Sequence, residues 1–305
     1  MMSRNLLQNL EAAQGNMSDL QNMMSSGHRI TKPSDDPAGV QNALGIKTNI
    51  TMIKQIKSNA DNALSYMGTT DSTLGDVSSM LQRARELAVQ GASDTSSIQT
   101  RQAIALEVDQ IAAQIQTLAN TKMGNKYIFS GTATDTEPMP STGFAGNSNK
   151  IQLDVGNNTK VDISVDGKGI FVNAPSLGIS GLLSNGTPII YPPNPGANAG
   201  ILDILSNQLR TGTGSTISAT LGDIDANLDN ILGSRASLGA NVNRVTAISS
   251  QMDTTTTNLT GNLSSIQDTD ISKTILDFQT QQNTYQAALS IGAKIIQPSL
   301  VDFMK

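Results

Sequence analysis

The sequence predicts a mainly α-helical protein in which segments from the two ends of the chain form a long antiparallel, coiled-coil-like bundle. A small β-rich domain is predicted to be inserted between them. Two observations support this fold class. Apolar residues recur at spacings of three and four residues through both ends of the chain, which is the heptad pattern of coiled coils. Residues 151–172 instead show the alternation that is typical of strands.

The first and last helices each carry one apolar stripe. In the first helix the stripe consists of Leu6, Leu10, Ala13, Met17, Leu20 and Met24. In the last helix it consists of Ile271, Ile275, Phe278, Tyr285, Leu289 and Ile296. A short helix cannot bury such a stripe alone and is marginal in water. We therefore expect the two stripes to form an assembly interface, either with each other or with other copies of the chain.

Two much longer helices are predicted inside these terminal segments. The first begins at Pro37, directly after an aspartate suited to capping, and ends near Gly91. A shorter helix follows it and stops before Gly124, and the second long helix runs over residues 215–266. At 1.5 Å per residue each long helix reaches about 80 Å, and two stripes of matched length are expected to pack antiparallel.

The chain therefore divides into three nested parts. The strand pattern begins near residue 151, turns at 156–158 and returns through residues 161–165. We expect an inner layer of terminal helices, a long helical rod and an outer β-rich domain. Their predicted boundaries are 1–30 with 268–305, 31–133 with 200–267, and 134–199.

A hinge is predicted between the terminal helices and the rod. The heptad slips by one residue at 268–270, downstream of four threonines at 254–257 that weaken a helix. The loop 27–34 is its counterpart on the other chain segment. The candidate hinge residues are Gly27, Pro33, Asp268 and Asp270.

Composition disfavours several classes of function. A net charge of −5 gives no basic surface for nucleic acid. There is no cysteine for disulfides or thiolate metal sites, and no apolar run is long enough for membrane insertion. Charged residues make up only 15%, against about 25% in an average globular chain. The polar face of the first helix is rich in Asn and Gln, which are less costly to desolvate than ions, so we expect this face to be covered.

Catalytic signals are weak, and we expect no catalytic, cofactor or metal site. His28 is the only histidine and is expected to be a solvated loop residue rather than part of a triad. Asp154, Asp162 and Asp166 are candidate carboxylates for an enzyme displayed on the inserted domain, which is the remote alternative. The sequence from Asp162 partly matches a calcium loop, but Asn173 replaces its bidentate glutamate. The glycines near residue 212 are expected to form a linker.

Four segments resemble the flagellin superfamily. They are residues 25–39, which include SSGHRI and SDDPAG; residues 81–90, LQRARELAVQ; residues 124–131, GNKYIFSG; and residues 285–305, YQAALSIGAKIIQPSLVDFMK. The third and fourth are most similar to the hook-associated protein 3 family within that superfamily. The resemblance covers about the first 135 and the last 90 residues.

The resemblance implies a structural protein of the bacterial flagellum. It implies self-assembly into a ring at the junction between hook-associated protein 1 and the flagellin filament. It also implies an extracellular location, reached without a cleaved signal peptide through the flagellar type III export apparatus, and an export chaperone on the C-terminal helix. The closest alternative is flagellin itself. A membrane-inserting type III translocator is a further alternative, although its helices should contain longer apolar runs.

Overall fold

The structure is a computed structural model, and it describes most of the chain. The described backbone comprises residues 2–140, 143–155, 160–174, 179–180 and 200–301. Side chains are described within these ranges from residue 4 to residue 172 and from residue 200 to residue 293.

The described residues are mainly helical. Their helices are α1 (Met2–Ser26), α2 (Pro37–Ala92), α3 (Ile98–Ala119), α4 (Gly167–Phe171), α5 (Ile201–Thr211), α6 (Gly214–Gln267) and α7 (Ile271–Val301). Their short strands are β1 (Lys122–Met123), β2 (Lys126–Tyr127), β3 (Gln152–Asp154), β4 (Lys160–Asp162), β5 (Asn173–Ala174) and β6 (Ile179–Ser180). The predicted fold class, with its long helices and its small strand-containing insert, is confirmed.

The chain forms two compact units. The first contains residues 1–54 and 252–305, and the second contains residues 55–251. In the first unit, α1 packs against α7, which confirms the predicted pairing of the two ends of the chain. The three-part nesting proposed from the sequence remains a proposal.

The second unit has one continuous apolar core in which parts of α2 and α6 pack together with α3 and α5. Its fully buried large side chains include Met67, Leu74, Leu81, Ile115 and Leu205. These residues come from three of the four helices and lie on the core-facing stripe of each, as expected for amphipathic helices.

Two bidentate ion pairs join α2 to α6 within this unit. Arg85 Nε lies 2.6 Å from Asp225 Oδ1, and Arg235 Nε lies 2.8 Å from Asp71 Oδ1. A guanidinium fork fits a carboxylate in one geometry. Both pairs therefore favour a single antiparallel register, although surface pairs of this kind contribute little to stability.

The insert begins at a tight hairpin formed by β1 and β2. Gly124 has a φ of 60°, in the left-handed region that glycine tolerates best. Beyond it, Phe129 and Phe171 are fully buried and meet edge to face, with ring centroids 4.9 Å apart. The Tyr66 hydroxyl donates a 2.7 Å hydrogen bond to the Ile128 carbonyl, so α2 is tied to this segment.

The predicted hairpin after residue 151 is also present. β3 and β4 are antiparallel, with Leu153 opposite Val161. Asp166 then caps a short helix, α4, by accepting a hydrogen bond from the Lys168 amide. The alternating pattern predicted a third strand at 170–172, after a turn at 166–167, and this was wrong: the Asp166 cap starts a helical turn instead.

Candidate assembly interface

The apolar stripe of α1 lies against α7. Leu6, Leu10, Ala13, Met17, Leu20 and Met24 are all half-buried. The residues between them are mostly exposed, and Leu7 on the outer face is 60% exposed. The heptad pattern in the sequence therefore identifies the face of α1 that contacts α7.

The face of α7 that meets α1 is formed by a different set of residues from the predicted stripe. We call this set the inner stripe; it consists of Thr274, Phe278, Gln281, Tyr285, Ala288 and Gly292, all buried or half-buried. Phe278 and Tyr285 belong to both sets. Gly292, which the apolar pattern passes over, is buried against Leu6: a Cβ on Gly292 would lie 2.8 Å from Leu6 Cδ2.

Three residues of the predicted stripe lie beside this contact and not in it. Ile271, Ile275 and Leu289, here called the outer stripe, are 51%, 37% and 46% exposed. They are separated from the inner stripe by a rotation of roughly 70° about the helix, at 100° per residue. The predicted residue Ile296 lies outside the described side chains.

The physical reason for this division is the close approach of α1 and α7. A helix can approach its partner closely only where its own side chains are small. Threonine, alanine and glycine supply such positions on α7, facing larger residues on α1. A search for large apolar residues therefore finds the outer stripe and misses four of the six residues of the inner stripe.

The predicted hinge segments are hydrogen-bonded to each other. His28 and Asp268 form an antiparallel β-bridge. The Arg29 amide donates to the Gln267 carbonyl at 2.7 Å, and the Thr269 amide donates to the Gly27 carbonyl at 3.0 Å. Residues 27–29 and 267–269, which we call the clasp, thus connect the end of α1 to the start of α7.

Side chains reinforce the clasp. His28 Nδ1 lies 2.9 Å from Asp268 Oδ1, and Arg29 Nη2 donates to the Ile266 carbonyl at 2.9 Å. The hydroxyl of Ser264 also donates to Asp268. This hydrogen bond, together with that from His28, lowers the pKa of Asp268 below its ordinary value.

The other predicted hinge residues flank the clasp. Gly27 has a φ of 71°, which explains the requirement for glycine at this position. Pro33 lies in a turn in which Asp35 accepts hydrogen bonds from the amides of Thr31 and Lys32. These two hydrogen bonds lower the pKa of Asp35, and the bond from Lys32 has the larger effect. Asp270 caps α7 by accepting from the Lys273 amide at 3.1 Å. Whether these segments bend remains a prediction.

The candidate carboxylates on the insert have structural partners. Asp162 accepts from Gln152 at 3.0 Å and pairs with Lys150 at 3.3 Å, and the Gln152 bond is the main cause of its lowered pKa. Asp166 is the cap of α4, and Asp154 lies opposite Lys160 in the hairpin. A cavity of about 620 Å³ lies between this segment and α6 and is lined partly by Asp162 and Asp166.

Neither a metal site nor a membrane span is found in the described part of the chain. No group of three or more His, Cys, Asp or Glu side chains there is arranged to hold a metal ion. None of the helices built from the described residues has a stretch long and apolar enough to cross a membrane.

Two family models match the chain at the helical segments that build this interface. Residues 1–134 match the bacterial flagellin N-terminal helical region, and residues 221–304 match the bacterial flagellin C-terminal helical region. Together the matches cover more than half of the chain. The chain belongs to the flagellin superfamily. It is therefore a structural protein of the extracellular bacterial flagellum and not an enzyme.

Relatives of several kinds are similar to the chain. It is 36% identical over 121 residues to a flagellin of Clostridium tyrobutyricum, covering 40% of this chain and 32% of that protein, so it spans about a third of that relative. It is 27% identical over 294 residues to a flagellin of Halalkalibacterium halodurans, covering 96% and 92%. It is 24% identical over 281 residues to flagellar hook-associated protein 3 of Escherichia coli, covering 87% and 86%.

Solved structures share the fold. Bacillus cereus FlgL is matched with a TM-score of 0.57 at 21% identity, covering 72% of this chain and 99% of that one. Flagellar hook-associated protein 3 of Legionella pneumophila is matched with a TM-score of 0.58 at 18% identity, covering 72% and 98%. At these identities the likeness concerns the fold alone.

Proposed function

We propose that this superfamily member forms the junction ring between hook-associated protein 1 and the flagellin filament. The observation that carries the proposal is the segment 124–131, GNKYIFSG, which resembles the junction family more than flagellin. Its residues build the base of the insert: Gly124 makes the hairpin, Phe129 enters the core, and Gly131 has a φ of 64°. A Cβ on Gly131 would lie 2.2 Å from the Asn147 carbonyl, so the motif serves the architecture of the insert.

The second candidate is flagellin. It is favoured by the H. halodurans flagellin, which is similar over nearly the whole chain at slightly higher identity than the E. coli hook-associated protein. Against it stand Pro37 and the ending PSLVDFMK, which resemble the junction family. The two candidates differ in one observable property, which is whether the chain polymerises without limit.

In the proposed assembly, the α1/α7 pair of each copy meets the pairs of its neighbours. The outer stripe supplies the apolar surface for this contact, because burying it releases ordered water and the surroundings carry few charges. We propose that the interface includes the residues of both predicted stripes: those on α1 together with Phe278 and Tyr285 make contacts within a copy, and the remaining four on α7 make contacts between copies. The proposed layers run from residues 1–30 and 268–305 inside, through 31–133 and 200–267, to 134–199 outside.

The other proposed partners follow from the same resemblance. They are hook-associated protein 1 on the hook side, flagellin on the filament side, and an export chaperone that holds the C-terminal helix before type III export. An unpaired α7 exposes both its inner and its outer stripe, which gives the chaperone an apolar surface to cover.

The experiment adds the purified chain to isolated hooks that carry hook-associated protein 1, followed by electron microscopy. The junction role predicts a short discrete cap that then supports growth of added flagellin. Long filaments made of this chain alone would support flagellin instead. Hooks that remain bare and do not support growth would contradict both candidates.

A further inference from the structure

The clasp leaves no slack between the ends of α1 and α7. The Gly27 amide still donates to the Met23 carbonyl of α1, while its own carbonyl accepts from Thr269. On the other side, the Asp270 carbonyl accepts from the Thr274 amide in the first turn of α7. Each of the two clasp segments is thus hydrogen-bonded from its helix end to the bridge, and neither segment can extend while these bonds persist.

The same register is found at the far end of the helix pair, where Leu6 faces Gly292. Counting from this contact in steps of four and three along both helices places Leu10 opposite Ala288 and ends with Met24 opposite Thr274. This final layer lies next to the clasp. The Leu6–Gly292 contact and the Met24 layer next to the bridge are about 27 Å apart at 1.5 Å per residue, and together they specify one alignment.

The contact between the α1 stripe and the inner stripe selects the register only weakly by itself. Both stripes follow the same heptad, so a slide of seven residues, about 10.5 Å, returns residues of both helices to facing positions. Such a slide places Met17 opposite Ala288 and leaves Ala13 opposite Gly292, where two small residues leave a void. In the shifted register, small residues no longer face large ones, but no polar or charged contact of the inner stripe is lost. Register errors of this kind are the usual failure of uniform coiled coils.

We propose that the clasp is a register-setting device for the α1/α7 pair. It fixes the layer next to the bridge, and the remaining layers follow by heptad count. The register in turn fixes the relative axial height at which exposed Leu7 on α1 and Leu289 on α7 face a neighbouring copy. This inference does not rest on the junction role, because the register can be read in a single chain.

Disulfide trapping reads the register directly, because the chain has no cysteine of its own. The native pair is Leu10→Cys with Ala288→Cys. The shifted pair is Met17→Cys with Ala288→Cys, which meets only after a seven-residue slide. Each pair is oxidised at submicromolar protein concentration, and the intramolecular cross-link is followed on non-reducing gels.

The decisive perturbation inserts four glycines between Ser26 and Gly27. They can lengthen the connection by about 13 Å, which is enough for the slide of about 10.5 Å, and they leave the clasp and both stripes unchanged. The matched control inserts four glycines between Pro33 and Ser34, on the far side of the clasp. In the parent and in the control, we expect the native pair to oxidise at least tenfold faster than the shifted pair. In the variant with the insertion before Gly27, we expect the two oxidation rates to come within threefold of each other.

A second variant guards against a purely structural effect of the insertion. Thr269→Pro removes the amide that donates to Gly27 without lengthening the chain, and we expect it to change the ratio of the two rates in the same direction. An unchanged ratio in both variants, or equal rates in the parent, would overturn the proposal. Slow oxidation of both cysteine pairs in these two variants would also overturn the proposal, because the clasp would then hold the helices together without selecting their register.

Discussion

The substitution Leu289→Asp tests the outer stripe. Leu289 is 46% exposed in the single chain, so about half of its apolar surface remains to be covered in an assembly. Full burial of a leucine side chain is favourable by about 1.5–3 kcal/mol. Covering the exposed half thus contributes about 1 kcal/mol per subunit contact, and Leu289→Ala should weaken association about fivefold.

An aspartate at this position should have a much larger effect. Burying a carboxylate beside apolar residues costs several kcal/mol or forces its protonation, so we expect association to weaken more than 100-fold. In the single chain the carboxylate can remain in water. The far-ultraviolet circular dichroism and the urea midpoint should therefore stay close to those of the unmodified protein.

The assay counts capped hooks by electron microscopy as a function of protein concentration. The matched control is Asn283→Asp, which adds the same charge to an exposed position of α7 about 120° around the helix from Leu289. We expect the control to form caps at the normal concentration. Normal capping by Leu289→Asp, or equal loss in the control, would refute the assignment of the outer stripe as the contact between copies.

Three further predictions concern the single chain. Gly15→Ala, at an open position of α1, should raise helix stability. Gly292→Ala makes the same gain in helix propensity but overpacks against Leu6, so it should leave the α1/α7 pair about 1–3 kcal/mol less stable than Gly15→Ala does. Hydrogen exchange of α1 and α7 measures both. Hydrogen bonding from Arg235 lowers the pKa of Asp71, so this pair stabilises the fold at pH values above the unfolded-state pKa of Asp71, and its contribution is lost as the pH falls through the folded-state pKa. In Asp71→Asn the melting temperature should therefore depend less steeply on pH between pH 6 and pH 2. An unchanged slope would contradict this. Burial raises the pKa of Tyr66 to about 12, so Tyr66→Phe should remove a tyrosine that ionises near this pH from an absorbance titration at 295 nm.

The long helices could be predicted closely because their signals are local and redundant. Pro37 begins α2 as expected, with Asp36 accepting from the Gly39 amide at 2.8 Å. The second long helix was predicted over residues 215–266 and is found over Gly214–Gln267. Heptad spacing, caps and breakers all point to the same answer in these segments.

The clasp could not be predicted, because backbone hydrogen bonds between distant loops leave no pattern in the sequence. His28 was expected to be a solvated loop residue, and it is partly exposed, but it also contacts Asp268 across nearly the whole length of the chain. The one available signal was indirect. Both loops lie at interruptions of the heptad, and if the flanking helices pair, the loops must be adjacent.

Four of the six residues of the inner stripe were missed for a different reason. Apolar periodicity weights large residues, whereas the α1/α7 contact uses small ones on α7, with Gly292 as the extreme case. The short helix α4 was missed because alternation from residue 161 onward outweighed a single capping aspartate. Both errors occur where tertiary packing or one side-chain hydrogen bond decides between patterns of similar strength.

The position of this chain along an intact flagellum tests the proposed junction role most directly. Isolated flagella can be labelled with gold-conjugated antibody against the outer segment, residues 134–199, and imaged by electron microscopy. The account predicts one narrow band of gold at the boundary between hook and filament. Gold distributed along the filament would contradict it and identify the chain as a filament subunit.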